Sequence, residues 1–147
     1  VIRGDLDPFD RRPGSPGGPD GWWILFEPEL HLGADILVPD LVFISTDRSR
    51  FLTSKILHGA PDLVIEILSP STKSRDRHLK RDVYERTGVE EYWVVDPDQD
   101  VVEVYRRHDS TSAPGRTFSA PMRYERTQIL NTPLLPGLEL PLDKILA

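Results

Sequence analysis

Glu66 is the residue of this sequence whose surroundings point most directly to chemistry. It is the one carboxylate in the apolar run from Leu63 to Leu68, a pattern typical of a strand buried on both faces. Burying an ionised carboxylate without a partner is costly or forces its protonation. A glutamate in such a strand therefore needs a cation beside it, either a basic side chain or a metal ion.

A second carboxylate can be chosen by geometry. The tetrapeptide Pro-Asp-Leu-Val occurs twice, at 39–42 and at 61–64, and offers Asp40 and Asp62 as partners of Glu66. Asp62 lies four residues from Glu66 on the same strand, about 13 Å away, so these two cannot share one ion. Asp40 lies on another strand and could sit beside Glu66 at about 5 Å. Two converging carboxylates suit Mg²⁺ or Mn²⁺.

The segment from Ser74 to Thr87 predicts a helix that brings a lysine to this pair. Positions at helical spacing from Leu79 and Val83 form one packing face, and Lys80 lies on or beside it. The members of this face are Asp76, Leu79, Lys80, Val83, Tyr84 and Thr87. A lysine near a metal suits a phosphate or an attacking water. We interpret the opposite face as solvated surface, with Arg77, His78, Arg81, Asp82, Glu85 and Arg86.

Each of these residues also has a purely structural interpretation. Asp40 follows a proline and could be a strand-end acid. Glu66 and Lys80 could form a structural ion pair, and Lys80 alone is typical of a helix lysine whose stem covers apolar surface. Both interpretations stay open at the level of the residues.

The strand and helix patterns predict a mixed sheet with a helix packed against it, in the α/β or α+β class. Glu91–Asp96 reads as a second apolar strand, joined by a turn to Val101–Arg106 in a hairpin. Upstream, the alternating stretches Trp22–Leu32 and Ile36–Thr46 each predict one strand. Pro28 marks the first of them as an edge strand or as the site of a bulge.

Composition limits the classes of protein that fit. With 147 residues and 38% hydrophobic content, the sequence predicts an irregular arm at 1–21 and one domain at 22–147. The lack of cysteine excludes disulfides and thiolate zinc sites and fits a cytoplasmic location. No apolar run approaches the roughly 18 residues of a membrane helix, so no membrane partner is expected. Because the chain begins at Val1, we expect its N-terminus to have been trimmed.

Charge leaves the nature of a nucleic-acid contact open. A net charge of -6 argues against indiscriminate binding to nucleic acid. Two local basic clusters nevertheless occur: Lys73–Arg86 holds six Lys or Arg against three acids, and Arg106–His108 is the second. They could be solvated surface or could contact phosphates.

Taken in order, these residues resemble the Uma-two family of putative restriction endonucleases, over roughly Gly21 to Leu142. The resemblance rests on Pro39-Asp40, Glu66-Ile67-Leu68, Ser69 to Thr72, Asp76, Lys80, Tyr84 and the run Gly88 to Pro97. It implies a fold similar to the PD-(D/E)XK nucleases, in which a restriction-endonuclease-like mixed β-sheet flanked by helices holds acids and a lysine around Mg²⁺.

Residue by residue, the resemblance implies a metal site. Asp40 takes the place of the first acid and Glu66 of the second, with the carbonyl of Ile67 as a further ligand. It also implies an acid on the strand before Asp40, for which Glu29 is the better match and Glu27 the reserve.

The lysine departs from the wider superfamily. Leu68 occupies the position where those nucleases carry lysine, and the Uma-two pattern implies that Lys80 of the helix replaces it. The implied function is a Mg²⁺-dependent (or Mn²⁺-dependent) endodeoxyribonuclease with DNA as its partner and Asp40, Glu66 and Lys80 as catalytic residues. A homodimer stays open. The alternative is an inactive module of nuclease fold that binds nucleic acid or a protein.

Overall fold

A computed structural model describes residues 22–54, 56–70, 75–108 and 117–146. The predicted arm at 1–21 lies outside this range, as does Ser74 at the start of the predicted helix. In chain order the elements are β1 (Trp23–Phe26), β2 (Glu29–Leu32), β3 (Asp35–Leu37), β4 (Leu41–Ile44), a 3-10 helix (Thr46–Phe51), β5 (Leu52–Thr53), β6 (Ile56–Leu57), β7 (Leu63–Ile67), α1 (Arg75–Thr87), β8 (Glu91–Asp96), β9 (Val101–His108), β10 (Thr117–Phe118), β11 (Met122–Glu125), β12 (Ile129–Leu130), β13 (Leu140–Pro141) and α2 (Leu142–Ile145).

Seven of the described strands form the main sheet, in the order β1-β4-β7-β8-β9 with β10 and β11 both paired to β9. The pair β7–β8 is parallel and the others are antiparallel. Because parallel neighbours need a crossover, α1 connects β7 to β8 across one face of the sheet. A smaller sheet has the order β3-β2-β6-β5. The predicted class, a mixed sheet with a helix against it, is confirmed, and so is the β8–β9 hairpin.

Two stretches that alternate in sequence each divide between the two sheets. Trp22–Leu32 and Ile36–Thr46 were each expected to form one strand, but β1 and β4 belong to the main sheet while β2 and β3 belong to the smaller one. The breaks fall at Glu27, which has a φ of 49°, and around Pro39. The Glu27 amide donates to the Asp40 carbonyl at 3.0 Å, so the breaks lie side by side. Proline and a left-handed residue both end regular pairing there.

The core has a layer on each face of the main sheet. On the α1 side an aromatic row crosses the sheet, with ring centroids 5.0 Å apart for Tyr84 and Tyr92, 5.8 Å for Tyr92 and Tyr105, and 6.1 Å for Tyr105 and Phe118. The opposite face is covered by the C-terminal segment, where buried Leu130, Leu142 and Leu146 pack with Phe43, Leu63, Trp93, Val102 and Val104. Together the two layers bury most of β7 and β8, as their near-continuous apolar sequences require.

Arg48 ties the connections before β7 and β8 together. Its Nη1 donates to three backbone carbonyls at 3.0 to 3.2 Å, those of Ala60, Pro61 and Gly88. The same guanidinium contacts the carboxylates of Glu90 at 3.0 Å and of the buried Asp62 at 3.5 Å. Arg48 thus supplies the positive charge and the hydrogen-bond donors for polar groups of two loops.

Replacing Arg48 by methionine should lower the free energy of unfolding by about 3 kcal/mol, because it leaves a buried carboxylate and several carbonyls without partners. Denaturant unfolding measures this. Arg50→Met is the matched control, since Arg50 is exposed on the same 3-10 helix and its hydrogen bond is to the nearby Asp47 carbonyl. Equal losses in both variants would contradict the special role of Arg48.

Candidate active site

Asp40 and Glu66 interlock at one end of the β4–β7 pair. The register that pairs Leu41 with Ile65 continues to place Asp40 opposite Glu66. The Asp40 amide donates to Glu66 Oε1 at 3.2 Å, and Asp40 Oδ2 accepts from the Ile67 amide at 2.7 Å. The structure therefore brings together the two carboxylates that strand geometry selected. Their role as metal ligands stays a prediction.

The second copy of the tetrapeptide shows what Asp40 does structurally. At the other end of the same strand pair, Asp62 Oδ2 accepts from the Ser45 amide at 2.6 Å. Both aspartates thus bind an amide at the end of the neighbouring antiparallel strand. What distinguishes the two ends is the sixth residue of each stretch, which is Ile44 after the first copy and Glu66 after the second. The added carboxylate, and not the aspartate alone, makes the Asp40 end unusual.

Lys80 reaches Glu66 from α1. Its Nζ lies 2.7 Å from Glu66 Oε2, and the side chains are 26% and 8% exposed, respectively. Burial raises the pKa of the Glu66 carboxyl above its usual 4.5, and the charge of Asp40 adds to this. The hydrogen bond and charge of Lys80, and the Asp40 amide, oppose the increase. Glu66 thus needs its cation, as its place in an apolar strand predicted.

The three residues open into one cleft of about 250 Å³. Asp40, Glu66 and Lys80 line it, and so do Ile67 and Arg77. Val38, Leu68, Ser69 and Tyr92 complete the described wall. Because charged and apolar side chains both line the cleft, it suits a charged group that enters with part of its water.

Glu29 does not join this group. Its strand, β2, belongs to the smaller sheet, and its Oε1 lies 2.7 Å from the Nε2 of His31. Glu27, the reserve, is exposed, and its backbone adjoins Asp40 through the amide bond described above. Of the four predicted ligands, the structure assembles Asp40, Glu66 and Ile67 and leaves Glu29 elsewhere.

The donors present fit a small hard cation that keeps much of its water. Among the described residues, no cluster of three or more His, Cys, Asp or Glu is arranged to hold a metal. Two carboxylates and a backbone carbonyl are oxygen donors only, and Mg²⁺ commonly binds through one or two carboxylates while retaining several waters. The site therefore fits Mg²⁺ or Mn²⁺ and would not suit a metal that prefers nitrogen or sulfur.

Arg77 is the cleft residue that the sequence pattern missed. The sequence pattern predicts Arg77 on the solvated face of the helix and Leu79 on the packing face, and both predictions are wrong. Leu79 is 58% exposed, whereas Tyr84 is fully buried and Arg77 is half-buried. At 3.6 residues per turn, Arg77 lies about 20° around the helix from Tyr84, and Leu79 about 140°. A face centred on Tyr84 would have found Arg77.

The basic cluster at the end of β9 has structural partners. Arg107 donates to the carbonyls of Tyr84, Glu85 and Val89 around the C-terminus of α1, where a cation also complements the helix dipole. Arg106 contacts the buried Glu91 carboxylate at 3.3 Å and the Asn131 carbonyl at 2.6 Å. For these two arginines the contacts favour the structural interpretation over phosphate binding.

Comparison with known proteins identifies the relatives of this chain. The profile of the Uma2 family, described as "Putative restriction endonuclease", matches residues 17–143. The chain belongs to the Uma2 family. No protein with a curated description matches it.

A solved structure shares the fold. The crystal structure of a putative nuclease belonging to DUF820 from Anabaena variabilis ATCC 29413 matches with a TM-score of 0.66 and 23% sequence identity, over 85% of this chain and 68% of that one. At this identity the likeness establishes the fold alone, and it agrees with the Uma2 membership. In the described part of this Uma2 chain, no helix is long and apolar enough to cross a membrane.

The raised pKa of Glu66 predicts a pH dependence of stability. A carboxyl whose pKa is higher in the folded state binds protons more tightly when folded, so its contribution to stability falls as pH rises from about 4.5 through the folded pKa. The unfolding free energy of the parent relative to Glu66→Gln should therefore decrease over that window, as measured by denaturant unfolding at several pH values. An increase with pH would mean that Lys80 outweighs burial.

Proposed function

We propose that this protein is a metal-dependent DNA endonuclease that hydrolyses phosphodiester bonds. The observation that carries the proposal is the convergence of Asp40, Glu66 and Lys80 in one cleft of a chain that belongs to a family of this description. DNA as substrate, Mg²⁺ or Mn²⁺ as cofactor and a cytoplasmic location are parts of the proposal. A homodimer stays a prediction.

Asp40 and Glu66 would hold the metal, with the carbonyl of Ile67 as a third donor. A bound Mg²⁺ or Mn²⁺ supplies positive charge at the phosphate and lowers the pKa of a coordinated water. The Asp40–Ile67 bond fixes one carboxylate oxygen of Asp40, and the Asp40 amide restrains Glu66. The acids are thus oriented by the backbone before any substrate arrives, which reduces the cost of ordering them.

Lys80 would act on the substrate. Its ammonium has three donors, and one contact is to Glu66 at 2.7 Å. From this position Nζ can donate to a phosphate oxygen or orient an attacking water, and its charge offsets the negative charge that develops during hydrolysis. Glu66 holds the lysine at the cleft floor.

The second candidate function is a module of nuclease fold that binds nucleic acid or a protein without cutting. Two observations favour it: Leu68 occupies the third motif position, and the bond between Asp40 and Ile67 has a structural counterpart in that between Asp62 and Ser45. In that case Glu66 and Lys80 form a structural pair. Removing either partner would then cost roughly 3 to 5 kcal/mol, and replacing both by apolar residues would be nearly neutral.

Metal binding should depend on Asp40 and not on Asp62. Mg²⁺ or Mn²⁺ should raise the thermal midpoint of the parent, because the ion binds the folded state and relieves the repulsion between Asp40 and Glu66. Asp40→Asn should remove that gain while keeping an oxygen acceptor for the Ile67 amide. Asp62→Asn is the matched control: it alters the equivalent strand-end bond and should retain the gain. A full metal response in Asp40→Asn would place the ion elsewhere.

Cleavage should depend on Lys80 and Glu66. Lys80→Met keeps the packing of the stem and should depress metal-dependent nicking of supercoiled plasmid. Glu66→Gln is close in shape and should lose both nicking and metal binding, since a neutral amide is a poor ligand for a hard dication. Equal activity of parent and both variants would indicate a contaminating nuclease. An inactive parent with either metal would favour the binding module.

A further inference from the structure

Among the described residues that line the cleft, Arg77 is the charged side chain that the proposed mechanism does not use. It lies three residues before Lys80 on α1, and both side chains line the cleft. Residues at this spacing share a helix face, with about 5–6 Å between their Cβ atoms. Two cations of different type therefore stand next to each other over the same part of the sheet.

Each cation is held by its own acid from the sheet. Lys80 pairs with Glu66 of β7, and Arg77 pairs with Glu103 of β9 through Nη2 and Oε2. Strand pairing aligns the two acids, because Glu66 lies opposite Val94 and Val94 lies opposite Glu103. Both acids are thus on the α1 face, two strands and about 10 Å apart. Arg77 therefore lies next to the proposed metal ligands, Asp40 and Glu66, and pairs with a different acid.

The acid of the Arg77–Glu103 pair is more open to solvent than Glu66. The side chain of Glu103 is 21% exposed and that of Glu66 is 8% exposed, whereas Arg77 and Lys80 are similarly exposed, at 22% and 26%. A guanidinium has five N–H donors in a rigid fork, and one carboxylate can engage at most two of them. The remaining donors of a half-buried arginine at a cleft wall suit an anion with several oxygens, and a phosphate accepts such a fork in bidentate geometry.

We propose that Arg77 binds a backbone phosphate of the nucleic acid adjacent to the one being hydrolysed, and that Glu103 is the positioning residue that aims its guanidinium. This inference rests on the proposed function and deepens it. Such a contact carries no sequence information and fixes the register of the strand in the cleft. The competing explanation is that the pair only fastens α1 to β9.

The test is the binding of a short mixed-sequence DNA duplex, followed by fluorescence anisotropy over a series of salt concentrations without metal and in an Asp40→Asn background. Arg77→Ala should weaken binding roughly tenfold at low salt, as expected for one charge-assisted hydrogen-bonded contact. The slope of log K against log salt should fall in magnitude by about 0.9 for the lost phosphate contact. Arg77→Lys should keep the slope and recover only part of the affinity.

Arg86→Ala is the matched control, since it removes the same charge from the same helix. Its side chain is 61% exposed and pairs with Asp35 away from the described cleft wall. It should bind DNA like the parent. Arg77→Ala that binds like Arg86→Ala, with or without a loss of thermal stability, would overturn the inference and leave the proposed function intact. If circular dichroism shows that Arg77→Ala does not fold, Arg77→Lys provides the test instead. DNA affinity equal to that of the parent in Arg77→Lys would overturn the bidentate contact.

Glu103→Gln tests the positioning role. It should lower kcat for plasmid nicking with little change in the salt slope, because Arg77 keeps its charge and loses its orientation. Tighter DNA binding with unchanged kcat would show that Glu103 only neutralises Arg77, and would overturn the assignment of Glu103. A parent that neither binds nor cuts DNA would overturn the proposed function and this inference together.

Discussion

The buried carboxylate of Glu66 is the constraint on which the site depends. A central strand leaves little room for water, so the charge must be matched by groups fixed in the fold. The backbone of the neighbouring strand provides an amide, through Asp40, and α1 provides an ammonium, through Lys80. The crossover between two parallel strands places α1 over β7, so the topology brings Lys80 close to Glu66.

The repeated tetrapeptide shows how one local structure can serve two ends of a sheet differently. Asp40 and Asp62 each bind an amide of the partner strand. Asp62 contacts Arg48, whereas at the Asp40 end the cation, Lys80, contacts the neighbouring Glu66. At the Asp62 end, Arg48 contacts three carbonyls and two carboxylates and so connects the loops before β7 and β8. At the Asp40 end the cation is a lysine and the surroundings form a cleft. A compact, three-donor ammonium can exchange partners more readily than a guanidinium held by five groups.

The sequence predicted the parts of this fold that depend on local pattern. The apolar strand around Glu66, the helix that follows it and the β8–β9 hairpin have strong periodic or turn signals, and all three are present. The proximity of Asp40 to Glu66 was also predictable, because the other candidate, Asp62, lies about 13 Å from Glu66 along the same strand.

The failures have physical causes that a local pattern does not contain. Alternation continues through Glu27 and Pro39, yet the backbone there turns from one sheet to the other, so two expected strands became four and Glu29 moved away from Asp40. In α1, Leu79 was given the packing face because of its residue type. The structure buries Val83 and Tyr84 of the predicted face. The observed packing face is centred on Tyr84, which packs against Tyr92, so Arg77 lies in the cleft and Leu79 lies outside the core.

Leu68 is part of the surroundings in which Lys80 of α1 reaches Glu66 of β7. Side chains two residues apart on a strand share a face, so position 68 looks toward the same side as Glu66. Here Leu68 packs partly against the core while also lining the cleft, and its amide bonds to the Val95 carbonyl at 2.9 Å. A lysine at 68 and a lysine at 80 would thus compete for the same volume beside Glu66. With leucine at 68 that volume has an apolar side, and the stem of Lys80 can lie against it while Nζ reaches the carboxylate. With leucine at 68, the cation beside Glu66 comes from α1 and not from the strand that carries the acid.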